Sequence, residues 1–358
     1  MPPRWHNFDR LRVLATVGVI SLHCGLLITT VLATERPDIV SAFNVGNAAD
    51  SVGRFAVNCF FMISGALLLA PERSFRLWPQ FRRVAIPLAV WVVIYLVANL
   101  ALDARGQRQV GDGLKDVELS APGNLIRSLV GLPPVYHLWF VYVLLAIYLL
   151  VPLLRAITDR PEPQRRQLLL WLLTLWAATL VLAWGKHYWD GFPVPYYESI
   201  RLLPPTYLGI FVLGYVIHHY KPAVPRWLFA AGAVAGLAWT FVGTWLAARS
   251  GAEDWMWSLD NVNPPVLLFS VGVFGWFATR DSSPGRLGGL TARLSALSFR
   301  VYLLHVLVLH LLFHLTPLRS MVRSDPVTLM VVLLVGTVLI STLLAWAIDL
   351  VRPIRRYV

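Results

Sequence analysis

The 358-residue chain is 57% hydrophobic and only 14% charged, and its mean hydropathy is +0.62. Because a soluble domain carries about 25% charged residues, this composition excludes an ordinary soluble protein and indicates an integral membrane protein. In such a protein the net charge of +12 reflects which loops lie on which side of the membrane, and we expect no nucleic-acid partner.

Ten apolar runs are long enough to cross a bilayer as helices, which takes roughly 17–25 residues each. They predict an all-α polytopic membrane protein with about ten transmembrane helices, forming a single domain over residues 1–358. The first run lacks a small-residue cleavage site after its basic start, so we expect it to be retained as a helix. The predicted spans are 12–33, 52–70, 84–103, 137–157, 167–184, 205–219, 227–248, 264–279, 296–316 and 327–350.

The charges between these runs predict the orientation of the chain. With a cytoplasmic N-terminus, 20 of the 31 basic residues but only 6 of the 19 acidic residues fall in inner segments. This bias agrees with the positive-inside rule. Both termini are therefore predicted to be cytoplasmic, and the longest loop, residues 104–136, is predicted to lie outside.

The first span carries the clearest polar residue at membrane depth. Its sequence, FDRLRVLATVGVISLHCG from Phe8, places Arg12 and His23 eleven residues apart. That separation leaves them about 20° apart around a helix and about 16.5 Å apart along it, so an anion held at Arg12 could extend an arm to His23. Asp9 is placed to orient Arg12. Ionisable residues inside a span are usually functional; the alternative for His23 is a buried histidine that a neighbouring helix satisfies.

Further polar residues mark the second and third spans. Asn58 and Ser64 lie in the second span, where they serve close helix packing or contribute to a substrate cleft. Arg82 and Arg83 precede the third span. They either belong to the positive-inside signal or hold the phosphates of a ligand, which the forked guanidinium suits.

Histidines also occur in the fourth and ninth spans. His137 stands at the predicted outer end of the fourth span, where it could contact a polar substrate, and Trp139 and Tyr142 follow it. These two aromatic residues also fit an interfacial belt. His305 lies about 13 Å into the ninth span, and Tyr302 shares its face one turn earlier.

No metal site is predicted. His310 and His314 have the i,i+4 spacing of a metal-binding pair, but no acidic residue accompanies them. The chain also lacks a Walker loop, a dinucleotide-binding fingerprint, HExxH and GxSxG.

Six motifs occur in the order found in acyltransferase family 3, the integral-membrane acyltransferases that modify cell-surface sugars. The chain resembles this family from residue 8 to about residue 310. The motifs are FDRLRVLA…SLH, NCFFMISGALLL, FRRVAIPLAVW, HLWFVYVLLAIYLLVPLL, YLGIFVLGYVI and SFRVYLLH. The resemblance implies that His23 is the catalytic histidine and Arg12 its paired arginine. Arg82 and Arg83 match the basic residues before the third span, although Gln80 stands where the family has a further arginine.

The resemblance also implies the reaction. An acyl group, usually acetyl, passes from cytoplasmic acyl-CoA, a donor substrate rather than a bound cofactor, to a hydroxyl of a polysaccharide or lipid-linked oligosaccharide. We expect a location in the bacterial cytoplasmic (inner) membrane among its lipids, and membership of the standalone branch that lacks a C-terminal esterase-like domain. The oligomeric state is not predicted.

The predicted mechanism needs a base for the acceptor hydroxyl, because the thioester is already activated. A neutral His23 serves as this base or carries the acyl group transiently. Arg12, Arg82 and Arg83, with Asp9, are assigned to the donor. The residues assigned to the substrate cleft are His137, Trp139, Tyr142, Asn58, Ser64, Tyr302 and His305.

Two other classes of function fit the composition. Ten spans with a buried histidine also suit a proton-coupled exporter or a flippase of a glycan or lipid-linked sugar, although the chain shows no repeated halves of the kind common in transporters. A non-catalytic membrane sensor or scaffold is the third class.

Overall fold

The computed structural model describes residues 4–35, 40–103, 135–188, 204–251, 255–280, 282–351 and 357. Within these ranges the chain is helical and has no strand, which confirms the all-α prediction for the residues described. The helices are α1 His6–Glu35, α2 Val40–Gly53, α3 Phe55–Leu68, α4 Leu77–Asp103, α5 Trp139–Thr158, α6 Gln164–Tyr188, α7 Pro204–Tyr220, α8 Arg226–Arg249, α9 Pro264–Ala278, α10 Gly288–His314, α11 Met321–Ser324 and α12 Pro326–Leu350. Short 3-10 turns lie at Tyr136–Leu138, Trp255–Leu259 and Pro317–Ser320.

Nine helical segments in the described ranges are long and apolar enough to cross a membrane. They correspond to nine of the ten predicted spans. The tenth, predicted at 205–219, is α7, which has 17 residues and so measures about 25 Å, the short end of what a bilayer requires. The protein is a multi-pass membrane protein.

The second span is longer than its hydropathy indicates. The prediction at 52–70 covers α3, but α2 precedes it with only Arg54 between the two helices. Asn47 and Asp50 in α2 are each 1% exposed. These buried polar residues lower the hydropathy of the segment, which is why the predicted span begins too late in the chain, at residue 52 rather than at Ser41.

The chain forms two compact units, each built from three segments. Unit 1 comprises Met1–Val19, Ser51–Leu77 and Ala146–Ser295, and unit 2 comprises Ile20–Asp50, Trp78–Leu145 and Ala296–Val358. Helices α1, α2, α4, α5 and α10 contribute residues to both units. The single domain predicted over residues 1–358 stays a prediction.

Small residues bring helices together within unit 1. A Cβ atom on Gly65 of α3 would overlap the carbonyl oxygen of Phe211 in α7, and one on Gly214 would overlap the carbonyl oxygen of Met62. Backbones approach this closely only where glycine faces the neighbouring helix. The close packing predicted around Ser64 and Gly65 is therefore present.

The second half of α1 packs on α2 in the same manner within unit 2. A Cβ atom on Gly25 would overlap the carbonyl oxygen of Gly46. Close by, the Ser21 hydroxyl donates a hydrogen bond of 2.8 Å to the carbonyl oxygen of Ala49. These two contacts fix the turn of α1 that carries His23.

Candidate functional site

Unit 2 brings three histidines from three separate elements together. His23 comes from α1, His137 from the 3-10 turn before α5, and His305 from α10. The ring centroids of His23 and His305 are 5.1 Å apart, those of His137 and His305 5.2 Å, and those of His23 and His137 6.2 Å. Their exposed fractions are 7%, 1% and 0% for His23, His137 and His305 respectively. We call these three residues the histidine cluster.

Three tyrosines border the histidine cluster. The Tyr136 ring lies 5.1 Å from the His23 ring, and the Tyr95 and Tyr302 rings lie 5.4 and 5.5 Å from the His137 ring. The polar groups of the cluster are therefore enclosed by aromatic surface inside a membrane protein, where water competes little for them.

The ring of His305 is oriented by its own helix. Its Nδ1 atom lies 2.6 Å from the carbonyl oxygen of Tyr302. A carbonyl oxygen can only accept, so Nδ1 carries the hydrogen and Nε2 keeps its lone pair. In the part of the chain that the structure describes, Nε2 is buried and has no hydrogen-bond partner.

The position of His137 is fixed by a hydrogen bond to its backbone and not by one to its imidazole ring. The Tyr302 hydroxyl donates a short hydrogen bond to the carbonyl oxygen of His137. Neither ring nitrogen of His137 has a hydrogen-bond partner among the described residues. Buried polar atoms of this kind usually have a partner, so this ring is suited to binding a polar group of a ligand.

Tyr95 of α4 supports the helix that carries His305. Its hydroxyl donates a 2.8 Å hydrogen bond to the carbonyl oxygen of Leu303 and accepts a 3.3 Å hydrogen bond from the amide of Leu307. These two contacts bracket His305 in α10. Sequence reasoning missed Tyr95 because a tyrosine in an apolar run looks like an ordinary core residue.

The histidine cluster offers proton acceptors and donors without a fixed charge of its own. No group of three or more His, Cys, Asp or Glu side chains in the described ranges is arranged to hold a metal ion. Acid–base chemistry or covalent catalysis by imidazole is what this arrangement can perform.

Unit 1 contains a second candidate site, a cavity of about 300 Å³ at the start of α1. It combines three arginines and one acid with apolar and aromatic surface. We call it the arginine cavity, and its lining residues are Arg4, Trp5, Phe8, Asp9, Arg12, Leu67 and Arg73.

Asp9 is the one acidic residue of the arginine cavity, and it is already engaged. Arg4 Nε lies 2.6 Å from Asp9 Oδ2, and the Ser295 hydroxyl donates a 2.7 Å hydrogen bond to Oδ1. Arg12 Nη1 is farther from the carboxylate, at 3.9 Å. Asp9 was predicted to orient Arg12; Asp9 contacts both arginines, and its shorter contact is with Arg4.

Arg73 lies in the loop after α3 and stacks on the aromatic wall of the arginine cavity. Its guanidinium carbon is 4.1 Å from the centre of the Trp5 ring. Burial lowers the pKa of Arg73, and the nearby Glu72 opposes that shift. Arg155 holds this loop by donating hydrogen bonds of 3.1 and 3.5 Å to the carbonyl oxygens of Leu68 and Pro71. A partly desolvated cation is stabilised by a bound anion.

Asn58 and Ser64, two further predicted site residues, make hydrogen bonds within unit 1. Asn58 donates hydrogen bonds of 2.7 Å to the carbonyl oxygen of Asn261 and 3.1 Å to the Ser270 hydroxyl. Ser64 donates to the carbonyl oxygen of Phe60 in its own helix, at 2.8 Å. These bonds account for both residues structurally, and the substrate-binding role predicted for Asn58 and Ser64 stays a prediction.

Two further pairs of predicted site residues lie near the starts of α5 and α4. Trp139 and Tyr142 are half-buried at the start of α5. Arg82 and Arg83 are exposed in the first turns of α4 and belong to unit 2. Their assignments to the substrate cleft and to the donor stay predictions.

The cavity residues that sequence reasoning missed are Arg4, Trp5, Phe8, Leu67 and Arg73. In the sequence, Arg4 and Arg73 count only as basic residues of predicted cytoplasmic segments. Nothing in the sequence indicates that the loop with Arg73 lies against the start of α1. Trp5 and Phe8 are one helical turn apart and are flanked by Arg4 and Arg10 in the sequence. This pattern could have indicated an aromatic wall next to basic side chains.

Comparison with known families agrees with the geometry. A family model described as an acyltransferase domain matches residues 5–346, which includes both groups of site residues. No curated protein and no solved structure matches the chain. Because the family model covers nearly the whole chain, the protein belongs to acyltransferase family 3 and is a membrane acyltransferase.

Proposed function

We propose that the protein moves an acyl group, acetyl in the simplest case, from cytoplasmic acyl-CoA to a hydroxyl of a cell-surface polysaccharide or its lipid-linked precursor. The proposed setting is the bacterial cytoplasmic membrane. The observation that carries this proposal is the histidine cluster, because three buried imidazoles can accept and donate the proton that acyl transfer to a hydroxyl requires.

The chemistry of the donor explains why histidine is sufficient. A thioester is already activated, so transfer to a hydroxyl requires removal of one proton and correct placement of the acyl carbon. His23 is proposed to act as that base or as a transient acyl carrier. A buried, largely water-free site also protects the thioester from hydrolysis.

The arginine cavity supports the choice of a phosphorylated donor. It presents the guanidinium groups of Arg4, Arg12 and Arg73, and one carboxylate, Asp9, which Arg4 and Ser295 already engage. Guanidinium groups bind phosphates through paired hydrogen bonds. Arg12 and His23 lie eleven residues apart on the single continuous helix α1, which corresponds to about 16.5 Å along that helix.

The test is replacement of His23 by alanine in a strain that lacks the native gene. We expect the O-acetyl signals in the proton NMR spectrum of the surface polysaccharide to disappear, while the wild-type gene restores them. His310→Ala is the matched control, because His310 is also buried but is not part of the histidine cluster. Membrane abundance of all three proteins is matched by immunoblot.

Unchanged O-acetylation with His23→Ala would contradict the proposed role of His23. A wild-type gene that restores export of the polysaccharide without altering its acetylation would support the transport alternative and overturn the proposed reaction.

A further inference from the structure

His305 is the member of the histidine cluster whose chemical state the geometry defines most completely. Its Nδ1–H donates to the Tyr302 carbonyl at 2.6 Å, which leaves the lone pair of Nε2 available. The side chain is 0% exposed, and Nε2 has no hydrogen-bond partner within the described segments.

A buried nitrogen without a partner is costly in the absence of a ligand. Leaving such an acceptor unsatisfied destabilises the folded protein. The hydrogen bond to the helix uses only Nδ1. It does not account for a second polar nitrogen on the opposite edge of the ring, where an apolar side chain would need no partner. The lone pair of Nε2 is therefore positioned to accept a hydrogen bond from a polar group of a substrate.

The neighbours of His305 identify what that substrate group is. His23 and His137 lie 5.1 and 5.2 Å from its ring centroid. A neutral hydroxyl fits this environment, since it can donate to Nε2 of His305 and accept from a second imidazole.

We propose that His305 is the catalytic base for the acceptor hydroxyl in the acyl transfer proposed above. The inference rests on that proposed function for the identity of the reaction. Of the two roles proposed above for His23, the inference assigns removal of the hydroxyl proton to His305, so that His23 contacts the acyl group.

The proposed step balances without any further reactant. The acceptor oxygen forms a bond to the acyl carbon as its proton moves to His305 Nε2. The carbon–sulfur bond breaks, and CoA leaves as a thiolate. The proton on His305 then passes to the thiolate, which gives free CoA thiol, an ester and neutral His305.

The test compares His305→Asn with His310→Asn. The asparagine amide nitrogen occupies about the position of the histidine Nδ1, so His305→Asn can keep the hydrogen bond to the Tyr302 carbonyl but has no base. His310→Asn makes the same chemical change five residues later in α10, at a position that is 7% exposed.

The measurement uses membrane vesicles from the strain that lacks the native gene, each carrying one variant at matched abundance. Radiolabelled acetyl-CoA is added, and label in the polysaccharide fraction is followed over time. We expect His305→Asn to lower the rate at saturating acetyl-CoA about 100-fold or more, the usual contribution of a general base. The acetyl-CoA concentration that gives half the maximal rate should change less than about threefold, because no donor contact is removed.

A pH profile separates catalysis from structure. Once the base is removed, hydroxide must take the proton, so the residual rate of His305→Asn should rise about tenfold per pH unit. The rate with His310→Asn should follow the wild-type profile.

Two results would overturn parts of the proposal, and they are distinguishable. A rate with His305→Asn within about threefold of wild type would reject His305 as the base and leave the acyl transfer standing. Absence of labelled polysaccharide with the wild-type protein would reject the proposed reaction itself, and with it the role of His305.

Discussion

At the scale of single residues, charge is distributed unevenly around the start of α1. Asp9 is contacted by Arg4 at 2.6 Å and by the Ser295 hydroxyl at 2.7 Å, while Arg12 remains at 3.9 Å. Arg73 lies against Trp5 on another wall of the cavity. One carboxylate thus faces three guanidinium groups, and the excess positive charge is the property by which this cavity would select an anionic ligand.

Arg73→Gln tests this selection. Loss of a charge-assisted hydrogen bond costs about 1.5–3 kcal/mol, so the acetyl-CoA concentration for half-maximal transfer should rise about tenfold or more. The maximal rate should change little, because Arg73 is not in the histidine cluster.

Arg76→Gln is the matched control for this variant. Arg76 is exposed and lies in the same loop, so its replacement removes the same charge without altering the cavity. An Arg73→Gln variant that needs no more acetyl-CoA than Arg76→Gln would contradict a donor role for the arginine cavity.

The sequence could single out some of these residues and not others. His23 was recognisable because it is an ionisable group in an otherwise apolar run, and its spacing from Arg12 follows from helix geometry alone. The partners His137 and His305 were recognisable as polar residues, but their convergence on His23 is tertiary. Tyr95 and Tyr136 carry no local signal, since aromatic residues are common in membrane helices.

At the scale of helices, the closest backbone contacts are made at glycine residues, which have no side chain to keep the helices apart. Gly25 allows the second half of α1 to reach the backbone of α2, and Gly65 allows α3 to reach the backbone of α7. Apolar side chains cannot drive this association in lipid as they do in water, so close backbone packing takes a larger share.

Gly65→Ala tests the importance of this approach. The added methyl group would overlap the carbonyl oxygen of Phe211, and a helix backbone cannot move away as a flexible side chain can. We expect a loss of stability above about 2 kcal/mol, measured as a lower thermal unfolding midpoint and a smaller yield of folded protein in detergent.

Gly289→Ala provides the comparison for this loss. A Cβ atom there meets nothing within 4 Å, and alanine is the better helix former. A Gly65→Ala variant as stable as Gly289→Ala would show that α3 and α7 do not need backbone contact.

Hydropathy predicted helices better than it predicted their limits. Long apolar segments such as α5 and α12 were placed within a few residues because lipid requires continuous apolar sequence. The exception, α2, buries Asn47 and Asp50, and such buried polar residues are satisfied by tertiary contacts that a sequence window cannot register.

At the scale of the whole molecule, the basic residues predict which side each loop occupies. Both termini and the loop that carries Arg73 are predicted to be cytoplasmic, and residues 104–136 are predicted to be outside. This orientation would place the arginine cavity on the side where acyl-CoA is found.

Cysteine labelling tests the predicted orientation. The native cysteines, Cys24 and Cys59, are free and buried, so they should give little background. In spheroplasts, a membrane-impermeant maleimide should label Gly113→Cys directly but should label Ser74→Cys only after permeabilisation. The reverse pattern would invert the membrane orientation and place the cavity away from cytoplasmic acyl-CoA.

The hydrogen bond between His305 and Tyr302 has a consequence for protein design. It joins a ring nitrogen to a backbone carbonyl three residues earlier in the same helix, so it depends neither on the side chain at position 302 nor on a second helix. A designer who places a histidine in the middle of a membrane helix in this rotamer obtains a defined tautomer from four consecutive residues. Such a segment is a transplantable unit, and only the pocket that receives the substrate must be built around it.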